Sequence, residues 1–324
     1  MNKSIRILSV LAGVQVVLVA LVWFGRSDGG ANVPLRLVEF APASVAKLTL
    51  ADGTQNVELT KDAAGWQVQA NGYVRTADAA QVNNMVNNLA ELQVQWPVAT
   101  TSDSAERFEV SAKKFQRRIE LQDDSGAQLA LLYTGTSPGL GKVHARSDAA
   151  DEVYAVDLAN HQLPMTLDDW LDKALLALPK DLEEITVQVG AEDTKKTWQL
   201  RNDLAQGWLL DNEKADQAAV LSYLGQLQNL RVIGLAEMGA IVSQDSEPFV
   251  EVGSLRWQSK QAAGVLVLHA SIGQEAEFLL STDDKTSKYR VTTRVGEDFL
   301  PDKEDLKGKL PNDCLLYTSD AADE

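Results

Sequence analysis

The chain has 324 residues, with 46 acidic against 30 basic side chains, a formal charge of −16 and one cysteine. That length allows a membrane segment and two domains with cores of their own. The acidic balance excludes general attraction to nucleic acid, which needs a surplus of Lys and Arg.

The terminal stretch from Cys314 to Glu324 resembles the translated read-through of a transposon-type sequencing adapter. Such a scar is set aside before the fold is reasoned about. It takes three acidic residues with it (Asp320, Asp323 and Glu324), and the chain stays acidic. It also takes the single cysteine, so no disulfide, thiolate nucleophile or zinc–thiolate site can form. A cysteine-free chain suits an oxidising compartment.

In chain order, Lys3 and Arg6 precede an apolar run over 7–24 whose polar interruptions are Ser9 and Gln15. That run is close to the ~20 residues a helix needs to cross a bilayer, and Trp23 and Phe24 end it where interfacial aromatics belong. The rival reading, a cleaved signal peptide, would have an unusually long apolar core and a small-residue site well past it, at Gly29, Gly30 and Ala31. The expectation is one uncleaved transmembrane helix in the inner membrane. Lys3 and Arg6 on the cytoplasmic side would place the rest of the chain in the periplasm.

After a linker containing Gly29, Gly30 and Pro34, residues 45–50 and 57–60 read as strands joined by Asp52 and Gly53, a hairpin signal. Residues 66–68 give a third strand. Thr76 is an expected helix N-cap with Asp78 in the first turn, and Val82, Met85, Val86, Leu89 and Leu92 recur at helical spacing. Strands are expected over 118–121, 128–133, 142–146 and 153–156. Residues 165–178 read as a connecting helix capped by Thr166 and stopped by Pro179. The same order then recurs. Strands at 185–189 and 198–200 lead to Gly207 and Trp208, to a helix from Ala215, and to strands at 254–257, 265–268, 277–280 and 289–292. Gly65, Trp66, Ala77 and Asp78 are echoed by Gly207, Trp208, Ala215 and Asp216. A repeat of this size means a duplicated module rather than a solenoid.

The predicted fold is α+β: two tandem modules, each a hairpin-rich, mainly antiparallel sheet with a covering helix, behind one transmembrane helix. The expected divisions are a cytoplasmic tip and anchor over 1–26, a linker over 27–42 and a first module over 43–164. A connecting helix over 165–180 and a second module over 181–301 follow, then a truncated tail over 302–313 and the artefact over 314–324.

Several patterns invite a chemical reading. Gly135, Ser137 and Gly139 fit the spacing of a hydrolase nucleophile elbow. The residue after the serine must donate its N–H to the oxyanion hole, and here it is Pro138, which has none. Gly139, Gly141 and Lys142 suggest a phosphate loop, but Val143 stands where a hydroxyl should meet magnesium. His144, His161 and His269 have no helical partner at ligand spacing. The acidic groups at Asp123 and Asp124, at Asp148, Asp151 and Glu152, and at Asp283 and Asp284 lack the spacing of a calcium loop and read as solvated turns. Trp66 and Trp208 read as core residues packing the helix on the sheet. No catalytic, cofactor-binding or metal-binding residue is assigned.

The order of these weak motifs resembles the domain of unknown function 4340 family. The similarity rests on Gly65 and Trp66 leading to Ala77 and Asp78, and on the hairpin ending at Lys142, Val143, His144, Ala145 and Arg146. It continues through Val153, Tyr154, Ala155 and Val156, then through Trp170, Leu171, Asp172 and Lys173, and on to Ile185, Thr186 and Val187. The second module departs more, between Ile233 and Ser254. The resemblance implies a bacterial accessory or scaffold protein beside an ABC-2-like, gliding-motility-like transport system, with an ABC permease or auxiliary subunit as partner. No catalytic residue comes with it. A ligand- or glycan-binding protein with a cleft between the modules, lined by Trp96, Trp170 or Trp257, is the alternative. An anchored hydrolase built on Ser137 is the third.

Overall fold

Alternating apolar side chains closed by Asp, Asn and Gly turns build two main sheets. The computed structural model describes residues 35–139, 141–190, 195–236, 249–272, 276–283 and 287–307, together with Gln15. The expected anchor over 7–24, Gln15 apart, and the expected adapter over 314–324 lie outside the described residues. Among the described residues no helix is long and apolar enough to cross a membrane. The architecture is mainly antiparallel sheet with few helices. The chain divides into two compact units, Met1–Glu58 with Asn83–Met165, and Leu59–Val82 with Thr166–Glu324.

The first sheet begins with a meander of β1 (Lys47–Ala51), β2 (Asn56–Asp62), β3 (Gly65–Ala70) and β4 (Tyr73–Thr76). Helix α1 (Ala79–Ala90) and the short α2 (Ser102–Arg107) follow. A second meander is β5 (Arg117–Gln122), β6 (Gln128–Thr134), β7 (Val143–Ser147) and β8 (Tyr154–Val156). The strand order is β8-β7-β6-β5-β1-β2-β3-β4. The fifth strand returns to the first, pairing Leu48 with Leu121 and Leu50 with Ile119. Period-two alternation puts Leu48, Leu50, Val57, Leu59, Val68, Ile119 and Leu121 on one fully buried face. The stripe Val82, Met85, Val86 and Leu89 of α1 is buried too, each such side chain contributing roughly 1.5–3 kcal/mol.

The second sheet repeats this plan. Its strands are β9 (Leu182–Val189), β10 (Lys196–Asp203), β11 (Gly207–Leu210) and β12 (Glu213–Lys214). Between β12 and the next strand lies a helix, which is numbered after the one-turn α3 (Leu167–Trp170) as α4 (Gln217–Gln228). Then come β13 (Phe249–Ser259), β14 (Ala263–Ser271), β15 (Phe278–Thr282), β16 (Lys288–Val291) and α5 (Thr293–Asp298). The order is β12-β11-β10-β9-β13-β14-β15-β16, with Gly234–Leu235 added beyond β16. Strand for strand, this is the order of the first sheet. Tyr223 of α4 meets Trp198 of β10 edge-on at 6.3 Å, and its hydroxyl donates to the Phe299 carbonyl at 2.9 Å. Burial therefore holds the Tyr223 phenol far above its ordinary pKa.

Turn chemistry agrees in the two sheets. β3 and β4 are joined through Asn71 and Gly72, both at positive φ, and β11 and β12 through Asp211 and Asn212, again both at positive φ. This is the backbone of a two-residue hairpin, for which Asn, Asp and Gly are the suited residues. Asp52 closes the β1–β2 turn by accepting from the Thr54 and Gln55 amides at 2.9 and 3.0 Å. Partial burial resists its ionisation, but the hydrogen bond from the Thr54 hydroxyl at 2.7 Å, joined by these two amides, prevails and brings its pKa to about 2.

Four expectations are corrected. Thr76 is the last residue of β4, paired with Gln67, and the N-cap role falls to Asp78, whose Oδ1 accepts from Gln81 N at 3.0 Å. The connecting helix over 165–180 shrinks to the single turn α3, which Thr166 does cap. Leu171 turns extended because tertiary partners replace helical ones: it bridges Ala77, and Asp172 N donates to Thr76 O at 2.9 Å. The linker assigned to 27–42 ends early, since Leu35–Arg36 pairs with Gln93–Val94 and Leu37 and Val38 are buried. The tail beyond Pro301 belongs to the fold as far as Lys307, with Leu306 buried in a 3₁₀ turn over Lys303–Leu306.

Both helix starts are held in one way. Asp78 N donates to Trp170 O (2.8 Å) while Ala77 bridges Leu171; Asp216 N donates to Leu306 O (3.0 Å) while Ala215 bridges Lys307. The Asp216 carboxylate accepts from Ala218 N and Ala219 N. Asp216→Ala is expected to cost about 1 kcal/mol, read as a lower urea midpoint, with Asp216→Asn restoring most of it.

Candidate functional site

The loop after β6 holds the first chemical candidates. Gly135 N donates to His144 O, and a Cβ at Gly135 would lie 2.0 Å from Phe108 O and 2.4 Å from Glu109 O. Ser137 Oγ donates to Lys142 O at 2.7 Å and accepts from Gly139 N at 3.1 Å. No helix follows the serine: Gly139 and Gly141 take positive φ, and Gly139 bridges Lys142. The motif is a turn that returns the chain into β7. Leu140 lies outside the described residues.

His144 is buried in β7, its Nδ1 2.9 Å from Thr136 Oγ1 and its ring 4.3 Å from that of Phe108. Desolvation lowers its pKa below 6.5, outweighing a hydrogen bond with the Thr136 backbone that favours the charged form. The unfolded chain takes the proton first, so His144 adds no penalty above pH 6.5 and lowers stability as pH falls from there toward its folded value. His144→Asn is expected to flatten this part of the unfolding free energy against pH, measured between pH 5 and 7.5.

The other candidates are placed apart. His161 is exposed in the turn Asn160–Gln162, and His269 is buried in β14, 3.1 Å from Ser281 Oγ of β15. Asp123 organises its own turn, accepting from the Ser125 hydroxyl and from the Ser125 and Ala127 amides; hydrogen bonding by Ser125 leads in lowering its pKa. Asp148 stands 4.0 Å from Arg146, whose buried guanidinium donates to Val110 O and Ala150 O and lies over the Tyr133 ring. Asp284 lies outside the described residues. Among the described residues no group of three or more His, Cys, Asp or Glu side chains could hold a metal ion.

The tryptophans separate by burial. Trp66 and Trp208 are buried in β3 and β11, and Trp170 is 0% exposed. Trp257 covers Gly264, where an added Cβ would meet the indole at 2.9 Å. Trp96 is 85% exposed.

A charged cavity of the second unit lies beside Trp66. It encloses about 400 Å³ and is lined by Trp66, Asp78, Asp172, Lys173 and Arg231, among others. The hairpin end brings Trp66 and Asp78, and the extended stretch after α3 brings Asp172 and Lys173. Each polar group is engaged in the fold. Asp78 caps α1, Asp172 Oδ1 accepts from Ala174 N at 2.8 Å, and Arg231 donates to Leu230 O at 3.1 Å. Lys173 Nζ donates to the carbonyls of Asp168 and Ile233. Burial lowers the Lys173 pKa, against the opposing pull of Asp168 and Asp169. Asp168 in turn accepts from Leu235 N at 2.8 Å and from Arg290 at 2.7 Å. These contacts suit a joint, or a pocket for a small polar molecule, better than proton transfer, for which a base needs a lone pair aimed at substrate. The sequence singled out Trp66, Asp78 and the stretch containing Asp172 and Lys173, but nothing in their spacing reveals that they converge.

A model of the family described as domain of unknown function (DUF4340) matches residues 66–248, more than half of the chain. No curated protein and no solved structure matches it.

Proposed function

This chain belongs to the domain of unknown function 4340 family, and from that membership we propose that it is a membrane-anchored accessory or scaffold protein. It is held in the bacterial inner membrane by residues 7–24 and faces the periplasm. It acts by protein binding beside an ABC-2-like, gliding-motility-like transport system, and performs no catalysis. The chain carries two tandem copies of one module, and residues 314–324 are a sequencing artefact. The shared strand order and the shared docking of the two helix starts support the tandem reading.

The observation that supports a binding role best is the use made of the chemistry-bearing side chains. Ser137, His144, His269 and the carboxylates of the cavity each hold a turn, a strand or a helix end. An anchor raises the effective concentration of such a scaffold beside a membrane partner. Affinity purification from native membranes tests the reading, comparing the full chain with a form lacking residues 1–26. Recovery of an ABC permease or ATPase with the full chain is expected. If no transporter component is recovered with either form, the accessory role is lost.

The cavity beside Trp66 favours a second reading, binding of a small polar ligand. Small anions and sugars screened for a thermal shift of the full chain, with Asp172→Ala as control, would reveal it.

A further inference from the structure

Where the described fold begins, the chain is fastened beside an exposed tryptophan. Leu35–Arg36 pairs with Gln93–Val94, and Leu37 N donates to Leu92 O at 2.9 Å. Two residues past Val94 comes Trp96, 85% exposed, flanked by Pro97 and by Val98 at 45%. Leu35 itself is 66% exposed. The stretch is no loose loop. Val98 N donates to Val153 O at 2.7 Å, Val153 N returns a bond to Ala99 O at 2.9 Å, and Ala99 bridges Val153. Pairing on both sides and a proline within it hold an indole out in water, although a tryptophan of a folded domain is normally buried over most of its area.

We propose that Leu35, Trp96 and Val98 form a lipid-contact patch, seated at the headgroup level of the bilayer that holds the chain's own anchor. The inference rests on the anchor reading of residues 7–24. Ten residues separate Phe24 from Leu35, a span of at most about 35 Å when fully extended. The patch therefore sits within tether reach of the membrane, at high effective concentration. Size argues for lipid over protein. Three side chains offer only a few hundred Å², roughly, against the ~1,200 Å² of a stable protein interface. An indole is suited to the interface, with an apolar body and an N–H for the headgroup layer. Glu91 lies five residues before Trp96, and Asp151 and Glu152 directly precede Val153, whose backbone pairs with Val98 and Ala99. Against the single cation Arg36 beside Leu35, these carboxylates favour zwitterionic over anionic headgroups.

The test uses the full chain reconstituted in phosphatidylethanolamine–phosphatidylcholine vesicles with brominated acyl chains, which quench nearby tryptophan. Quenching is compared for the natural chain, Trp23→Phe and Trp96→Phe. Both changes are expected to reduce the quenched emission, Trp96→Phe by roughly half if both indoles lie near the interface. If Trp96→Phe changes nothing while Trp23→Phe abolishes quenching, the patch is refuted and the anchor stands. If the natural chain neither floats with vesicles nor is quenched, the anchor reading fails and takes the patch with it. A photoreactive phenylalanine analogue at position 96, irradiated in native membranes, decides between partners: a lipid adduct supports the proposal, and a polypeptide adduct overturns it.

Discussion

Replacing Gly135 by alanine is expected to destabilise the chain by about 3 kcal/mol or more, whereas Ser137→Ala, two residues on, should cost no more than about 1 kcal/mol. The new Cβ would sit 2.0 Å from Phe108 O and 2.4 Å from Glu109 O. Neither oxygen belongs to a side chain that can swing away. Phe108 O already accepts from Thr136 N at 2.9 Å, so backing off sacrifices that bond. Ser137 is exposed and holds only its local turn, through Lys142 O and Gly139 N. Urea unfolding of the detergent-solubilised full chain measures both. A nucleophile elbow would leave these midpoints unchanged and differ only in making the Ser137 hydroxyl necessary for an activity. Equal midpoints for Gly135→Ala and the natural chain would refute the close approach.

Trp170→Ala is expected to cost about 3–5 kcal/mol, the range for removing a buried large aromatic and leaving a cavity. Trp170 has no exposed surface, and its carbonyl receives the amide of Asp78 at the start of α1. Loss of the indole thus loosens α3 and the backbone contact that holds the first helix in place. Against a total stability of roughly 5–15 kcal/mol, this is enough to depopulate the native state at moderate urea. Trp96→Ala is the internal control: at 85% exposure it should fall within about 0.5 kcal/mol of the natural chain. A loss below 1 kcal/mol for Trp170→Ala would mean that the site collapses around the vacancy, contrary to a close-packed core. The same burial counts against Trp170 as a stacking platform for a glycan.

Most strands of both sheets are legible because their cause is local. Leu48 and Leu50, or Ile185 and Val187, alternate in a way that only a half-buried strand explains. The helix stripe through Val82, Met85, Val86 and Leu89 was legible for the same reason. Strand β4 was missed although Asn71 and Gly72 are among the strongest hairpin signals, because Tyr73, Val74 and Arg75 show no alternation of apolar and polar side chains. The helix start was misplaced by two residues, since Thr76 and Asp78 are both good caps and only the pairing of Thr76 with Gln67 decides between them.

What the sequence determined by itself is a repeated order of strand and helix, an acidic chain without thiol chemistry beyond Cys314, and an apolar run of membrane-spanning length over 7–24. Each follows from composition or from periodicity over a few residues. Only the tertiary structure decided where the chain after Trp170 goes, that Leu306 and Lys307 do for α4 what Trp170 and Leu171 do for α1, and that Asp168 ties Leu235 to Arg290. It also decided that Trp170 is sealed while Trp96 stands in water. These outcomes depend on backbone groups far apart in the chain finding each other, and an isolated stretch of sequence has no term for a partner it has not yet met.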